Sequence, residues 1–257
     1  MIVNGVHYDT TGTGPTLLFI PGGALDSTSF ADFAPLLADD YTVVTYDPRG
    51  LGRSATAGQD EITVDAQATD ALAVLDAVGG GPAQVFGHSG GALTTLALVE
   101  RHPDRVRTAV LLEPPLIGLL PDAVHVRAND RKVTEAYERD GVWAAVAAFM
   151  AEAGLAGDEQ EAPPQEWLSA MAANFDVFFG RMYRSIGEYE PDLAALRAAS
   201  TRIEVGAGTT TVGDLANRAA VAFAERLDKA AVDFPGDHNG FMADPAANAL
   251  VLRKLLS

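Results

Sequence analysis

The sequence predicts an α/β fold, with a mostly parallel central sheet flanked by helices and one inserted helical lid. Three observations carry this. Strand-like runs alternate with segments of helical spacing from the start of the chain to about Leu112. The alternation stops at Glu113-Pro114-Pro115 and resumes near Arg202, and the stretch between reads as helix only. Alternation of this kind builds a parallel sheet covered on both faces. At 257 residues the chain is long enough for one such domain with a full-sized core.

The elements follow in order. Met1–Asn4 and Val6–Thr10 are short strand-like runs separated by Gly5. Thr16–Ile20 is a continuous apolar run of strand length, ended by Pro21-Gly22-Gly23. Phe30, Phe33 and Leu37 are three or four apart, which predicts a helix over Ser29–Leu37. Thr42–Tyr46 is β-branched and aromatic, hence a strand. Val64–Val78 reads as a helix closed by Gly79-Gly80-Gly81. A strand at Ala83–Phe86, a helix from Gly90 to about Arg101 and a strand at Val106–Leu112 complete the first part. The helical stretch has breaks at Pro121, Gly141, Gly154–Gly157, Pro163-Pro164 and Pro191. After it come a strand at Arg202–Val205, a helix from about Leu215 to Leu227, a strand at Ala231–Phe234 and a closing helix at Pro245–Leu256. The expected division is a core of residues 1–114 and 201–257 with a lid of 115–200.

Composition narrows the function classes. Hydrophobic residues make up 48% and charged residues 21%, the balance of a globular protein. A formal net charge of −17 argues against nucleic acid or an anionic membrane as partner. The chain has no cysteine, so thiolate chemistry and disulfides are excluded. Its five histidines show no pair at metal-binding spacing, so neither a metal nor another cofactor is expected. No run approaches the roughly 18 to 20 apolar residues of a membrane span. The first residues lack a signal-peptide pattern, and a cytoplasmic protein is the expectation.

The chemistry concentrates in Gly87-His88-Ser89-Gly90-Gly91, which follows a strand and opens a helix. A serine hydroxyl is a poor nucleophile unless it is exposed and set beside a base. A sharp strand-to-helix turn exposes it, and glycines two residues either side leave room for the cramped backbone. With this elbow in place, the chain resembles the α/β-hydrolase family from about Thr16 to Leu256. Phe19-Ile20-Pro21-Gly22-Gly23 resembles the family's oxyanion loop, although Pro21 stands where many members carry histidine. The resemblance implies that the Gly23 and Gly90 amides form an oxyanion hole. Asp47-Pro48-Arg49-Gly50 resembles the family's structural turn, with Asp47 and Arg49 architectural.

Phe234-Pro235-Gly236-Asp237-His238-Asn239 resembles the family's histidine loop after the last strand, which makes His238 the base. His88 lies inside the elbow, where its backbone role does not demand an imidazole. The base needs a carboxylate to orient it. Most members carry that acid after the strand that follows the lid. Here the segment reads Val205-Gly206-Ala207-Gly208-Thr209-Thr210-Thr211, with no carboxylate until Asp214. Some members place the acid one strand earlier, as in zearalenone-type lactone hydrolases, and that position is Glu113. Glu113 is the expected acid; Asp214 and a dyad without an acid remain alternatives.

The helical stretch holds nine of the chain's nineteen aromatics. Trp143, Val146 and Met150 share one helical stripe, and Phe175, Phe178, Phe179 and Met182 another. These either fill the lid's own core or roof a pocket over Ser89, with Trp143, Phe178, Phe179 and Tyr183 as candidate substrate contacts. The expected activity is hydrolysis of an ester or lactone of a small hydrophobic molecule. Hydrolysis of a C–C bond by the same residues, or non-enzymatic binding of a small molecule, are the alternatives.

Overall fold

A computed structural model describes residues 1–54, 60–152 and 165–257, without the side chains of 165–168 and 170. The breaks expected at Gly154–Gly157 and Pro163-Pro164, and the side chain of Trp167, lie outside the described residues.

Eight strands form one sheet: β1 (Ile2–Val3), β2 (Val6–Thr11), β3 (Thr16–Ile20), β4 (Thr42–Tyr46), β5 (Ala83–His88), β6 (Val106–Leu112), β7 (Arg202–Gly208) and β8 (Val232–Phe234). Their order across the sheet is β1-β2-β4-β3-β5-β6-β7-β8. The β1–β2 and β2–β4 pairs are antiparallel and every later pair is parallel. β3, β5 and β6 lie centrally, which is why their runs are apolar without alternation: β5 is buried at all six positions.

Helices α1 (Val64–Ala77), α2 (Gly90–Arg101) and α8 (Leu215–Arg226) connect strands, and α9 (Gly240–Ala243) and α10 (Pro245–Leu256) close the chain. α1 begins where the Thr63 side chain accepts from the Ala66 amide, and α10 where Asp244 accepts from Ala247 with Pro245 at the first position. One sheet face packs on α1, α2 and α8 through Leu18, Val44, Val85, Leu96 and Phe223. The other is filled by an aromatic cluster of Phe19, Phe30, Phe33, Phe86, Phe234 and Phe241, backed by α10. Phe19 sits 5.0 Å from Phe30 and 5.3 Å from Phe33, ring centre to ring centre, the spacing of favourable aromatic pairs.

Between β6 and β7 the regular elements among the described residues are all helical: a 3₁₀ turn (Ile117–Leu119), α3 (Ala123–Asp140), α4 (Val142–Glu152), α5 (Gln165–Val177), a π-helical turn (Phe178–Met182), α6 (Tyr183–Glu188) and α7 (Leu193–Ala198). Their aromatic cluster of Phe149, Phe178, Phe179 and Tyr183 packs on Leu51 and Ile62 of the core.

Two elements differ from the sequence reading. The helix expected over Ser29–Leu37 is two 3₁₀ turns, Ser27–Phe30 and Ala34–Leu37. Asp26 caps the first by accepting from Thr28, and Pro35 has no N–H with which to extend an α-helix. β7 continues past Val205 to Gly208 because Gly206–Gly208 pair with Val232–Phe234 of β8, a partner more than twenty residues away.

Candidate active site

Ser89 stands between β5 and α2 with φ 52° and ψ −122°, a conformation that side chains other than hydrogen rarely adopt. The surrounding glycines make this turn possible. A Cβ on Gly91 would lie 2.5 Å from the Pro21 carbonyl oxygen, and one on Gly87 would lie 2.7 Å from that of Gly91. Gly22 is equally constrained, since its Cβ would meet the Ser89 Cβ at 2.6 Å. The elbow and the loop after β3 are therefore packed backbone to backbone. This brings the Gly23 amide next to Gly90: a Cβ on Gly90 would be 3.5 Å from the Gly23 nitrogen. Gly90 opens α2, so its N–H has no acceptor within the helix. The two amides thus lie close together beside the serine turn.

His238 lies in the loop between β8 and α9, and Glu113 directly follows β6. Parallel packing of β5, β6, β7 and β8 delivers all three side chains to one edge of the sheet. The His238 Nδ1–H donates to Glu113 Oε2 at 2.6 Å. Glu113 has φ 48°, and its carboxylate is wholly buried. Its other oxygen, Oε1, accepts from the Gly208 amide at 2.8 Å, from the Thr211 hydroxyl, and more distantly from Asn217 Nδ2 at 3.4 Å. Burial alone would raise this carboxyl. The bonds from His238, Thr211 and Gly208 outweigh it and hold Glu113 below the ordinary glutamate range. Among the described residues no hydrogen bond joins Ser89 to His238; both line the same chamber.

Asp214, the alternative acid, stands at the N-terminal end of α8 and lines the chamber without bonding His238. Thr211 and Asn217 escaped the sequence reading. The only signal for them was the threonine run itself, which supplies a hydroxyl donor where a carboxylate is usual. His88 also proves to be more than a backbone position: it is buried, and its Nε2–H donates to the His238 carbonyl at 2.9 Å.

Asp47 and Arg49 are engaged away from the cavity. Asp47 accepts from the Ser27 and Arg53 amides at 3.1 and 2.9 Å, and Arg49 clamps Asp70 with two bonds of 2.5 Å.

Two cavities meet at Ser89. An inner chamber of about 80 Å³ is lined by Ser89, His238, Ile117, Tyr183 and Ile186, with Asp130 and Glu152 in its wall. An outer cleft of about 630 Å³ is bordered by Leu25, Met150, Phe175 and Met242. Phe149 and Phe178 border both. Asp130 accepts from the Tyr183 hydroxyl at 2.6 Å, while burial and then nearby Asp130 push the Glu152 carboxyl up to about 7. Of the four aromatics expected at the substrate, Phe178 and Tyr183 line the inner chamber. Phe179 and Trp143 line neither cavity. Phe179 is buried among Phe149, Phe175 and Phe178, and Trp143 packs on Phe175 while remaining 43% exposed. Helical spacing put Trp143 on one apolar stripe with Met150, which borders the outer cleft, but Trp143 itself packs on Phe175 of α5.

A mostly parallel sheet in this order, with a strained serine turn after its fifth strand, defines a hydrolase of the α/β fold. The chain belongs to that family: residues 15–142 match the family described as alpha/beta hydrolase fold. It is 34% identical to an uncharacterized hydrolase of Bacillus subtilis (strain 168), over 92% of this chain and 86% of that one. It is 30% identical to the zearalenone hydrolase of Bionectria ochroleuca, over 81% of this chain and 79% of that one. A thermophilic esterase from Thermogutta terrifontis shares the fold with a TM-score of 0.77 at 21% identity, covering 98% of this chain and 92% of that chain. Among the described residues no helix is long and apolar enough to cross a membrane.

Proposed function

We propose that the protein hydrolyses a carboxylic ester or lactone of a small hydrophobic molecule through Ser89, His238 and Glu113. The observation that carries this reading is the 2.6 Å contact between Glu113 Oε2 and His238 Nδ1 beside the serine turn. A carboxylate only accepts, so Nδ1 holds a proton, and in the neutral ring Nε2 is then left with a lone pair. That is the tautomer a general base requires. His238 Nε2 takes the Ser89 proton as Oγ attacks the substrate carbonyl. The Gly23 and Gly90 amides receive the oxyanion, each worth roughly 3 kcal/mol to the transition state. The imidazolium, paired with Glu113, returns its proton to the leaving oxygen. The acyl-enzyme then breaks down when His238 deprotonates an attacking water.

The helical segment 115–200 acts in this reading as a lid, with Phe178 and Tyr183 against the substrate. The inner chamber's lining is largely apolar, which favours a hydrophobic group beside the reacting carbonyl. A relative named for zearalenone, a macrocyclic lactone, supports the lactone half of the proposal.

The test is a fluorophosphonate probe combined with Ser89→Ala. The wild type should gain one probe mass and hydrolyse p-nitrophenyl acetate, and the variant should do neither while remaining folded. Labelling or undiminished hydrolysis in folded Ser89→Ala would refute the proposal.

A further inference from the structure

We infer that His88 is a positioning residue for the base: its imidazole clamps the main chain of His238 and so keeps that ring on Glu113. The inference rests on the Ser89–His238–Glu113 reading above. His88 ends β5, immediately before Ser89, and lies 150 residues from His238 in sequence. A carbonyl oxygen only accepts, so the 2.9 Å contact with the His238 carbonyl requires the proton on His88 Nε2. The ring is thereby a fixed neutral tautomer, and burial followed by nearby His238 pushes it down to about 3, far from protonation at neutral pH.

Two features separate this ring from a residue that merely fills space. Its Nδ1 is buried without a hydrogen-bond partner among the described residues, a cost that an apolar ring of similar size would not carry. The retained benefit is the Nε2–H. Moreover, among the described residues this is the one hydrogen bond made by the His238 main chain. The flanking bonds of that loop reach Gly236, Asn239 and Gly240 instead. The side chain of His238 is held at Nδ1 by Glu113, and its backbone is held by His88. The two imidazoles lie 4.6 Å apart, and Phe241 braces His88 from another side at 4.9 Å. One strand end therefore sets the nucleophile and the base together.

The test compares His88→Phe and His88→Leu, which remove the donor, with His88→Gln, whose side-chain amide reaches about as far as imidazole Nε2. Each is measured for kcat and KM on p-nitrophenyl acetate, for fluorophosphonate labelling, and for the low-field proton resonance of the His238–Glu113 hydrogen bond. The donor-less variants should lose roughly ten- to one-hundred-fold in kcat, as expected for a misplaced catalytic group. Their KM should stay within about two-fold of wild type, and the resonance should broaden or vanish. His88→Gln should recover to within about three-fold of wild type and keep the resonance. A folded donor-less variant with wild-type kcat and resonance overturns the inference, and so does His88→Gln as impaired as His88→Phe. If neither donor-less variant folds, His88→Gln alone decides by the same resonance and kcat. A wild type that takes no fluorophosphonate would instead defeat the underlying serine mechanism.

Discussion

Replacing Glu113 by glutamine tests the acid most sharply, because the structure dictates how the amide would sit. Among the described residues Oε1 faces three donors, from Gly208, Thr211 and Asn217, whereas Oε2 faces only the Nδ1–H of His238. A glutamine cannot present oxygen to both sides. With its NH₂ at the Oε1 position it would oppose the buried Gly208 amide, which has no other acceptor among the described residues, a mismatch costing about 1–3 kcal/mol, although Thr211 and Asn217 could turn to the Gly208 carbonyl. With its NH₂ at the Oε2 position it opposes one donor, and His238 can escape that conflict by moving its proton to Nε2. The second arrangement is therefore favoured. It leaves the imidazole in the tautomer that cannot accept the Ser89 proton. The expected loss in kcat is about 10⁴-fold, the size known for a wrong-tautomer histidine in the serine-protease triad, or about 5 kcal/mol of barrier. The assay is kcat/KM on p-nitrophenyl acetate for Glu113→Gln beside Asp214→Asn, with folding checked by circular dichroism. Asp214→Asn should stay within a few-fold of wild type. Folded Glu113→Gln within about ten-fold of wild type, or Asp214→Asn as the worse variant, would refute the reasoning.

Ser89→Gly should abolish hydrolysis yet stabilise the fold. Relief of the φ 52° strain is worth about 1–3 kcal/mol against about 0.5–1 for the freer unfolded glycine, so the melting temperature should rise by roughly 2–4 °C. An unchanged or lower melting temperature would mean that the turn is not strained. Phe178→Ala joins the two cavities and should shift the ratio of kcat/KM between long and short acyl esters by about 10-fold or more, whereas exposed Trp143→Ala should leave the profile unaltered. Equal profiles in wild type and Phe178→Ala would remove Phe178 from the substrate. Glu152 is held up to about 7, so the folded state keeps a proton that the unfolded chain releases near 4.5. Stability attributable to this group therefore falls as pH rises between those values. Thermal melts from pH 5 to pH 8 should show that decline flattened in Glu152→Gln; an identical slope in both proteins would count against it.

What the sequence determined by itself is what depends on neighbouring residues. Glycine spacing around Ser89 marks a backbone turn because steric room is a local property, and the continuous apolar run Thr16–Ile20 and the β-branched run Thr42–Tyr46 likewise mark strands from local sequence alone. The boundaries of α2 and α10 were legible from Gly90 and Pro245. The helix misread at Ser29–Leu37 shows the limit, since three well-spaced apolar residues could not announce that Pro35 and the Asp26 cap would divide the segment. What only the tertiary structure decided are the contacts made across the sheet edge. Glu113 meets Thr211 and Asn217 about a hundred residues on, and His88 meets the main chain of His238. Trp143 and Phe178 carry the same kind of apolar spacing, yet one faces solvent and the other borders both cavities. Periodicity specifies which face of a helix is apolar; which neighbour covers that face is set by how the helices pack, and no short stretch of sequence encodes it.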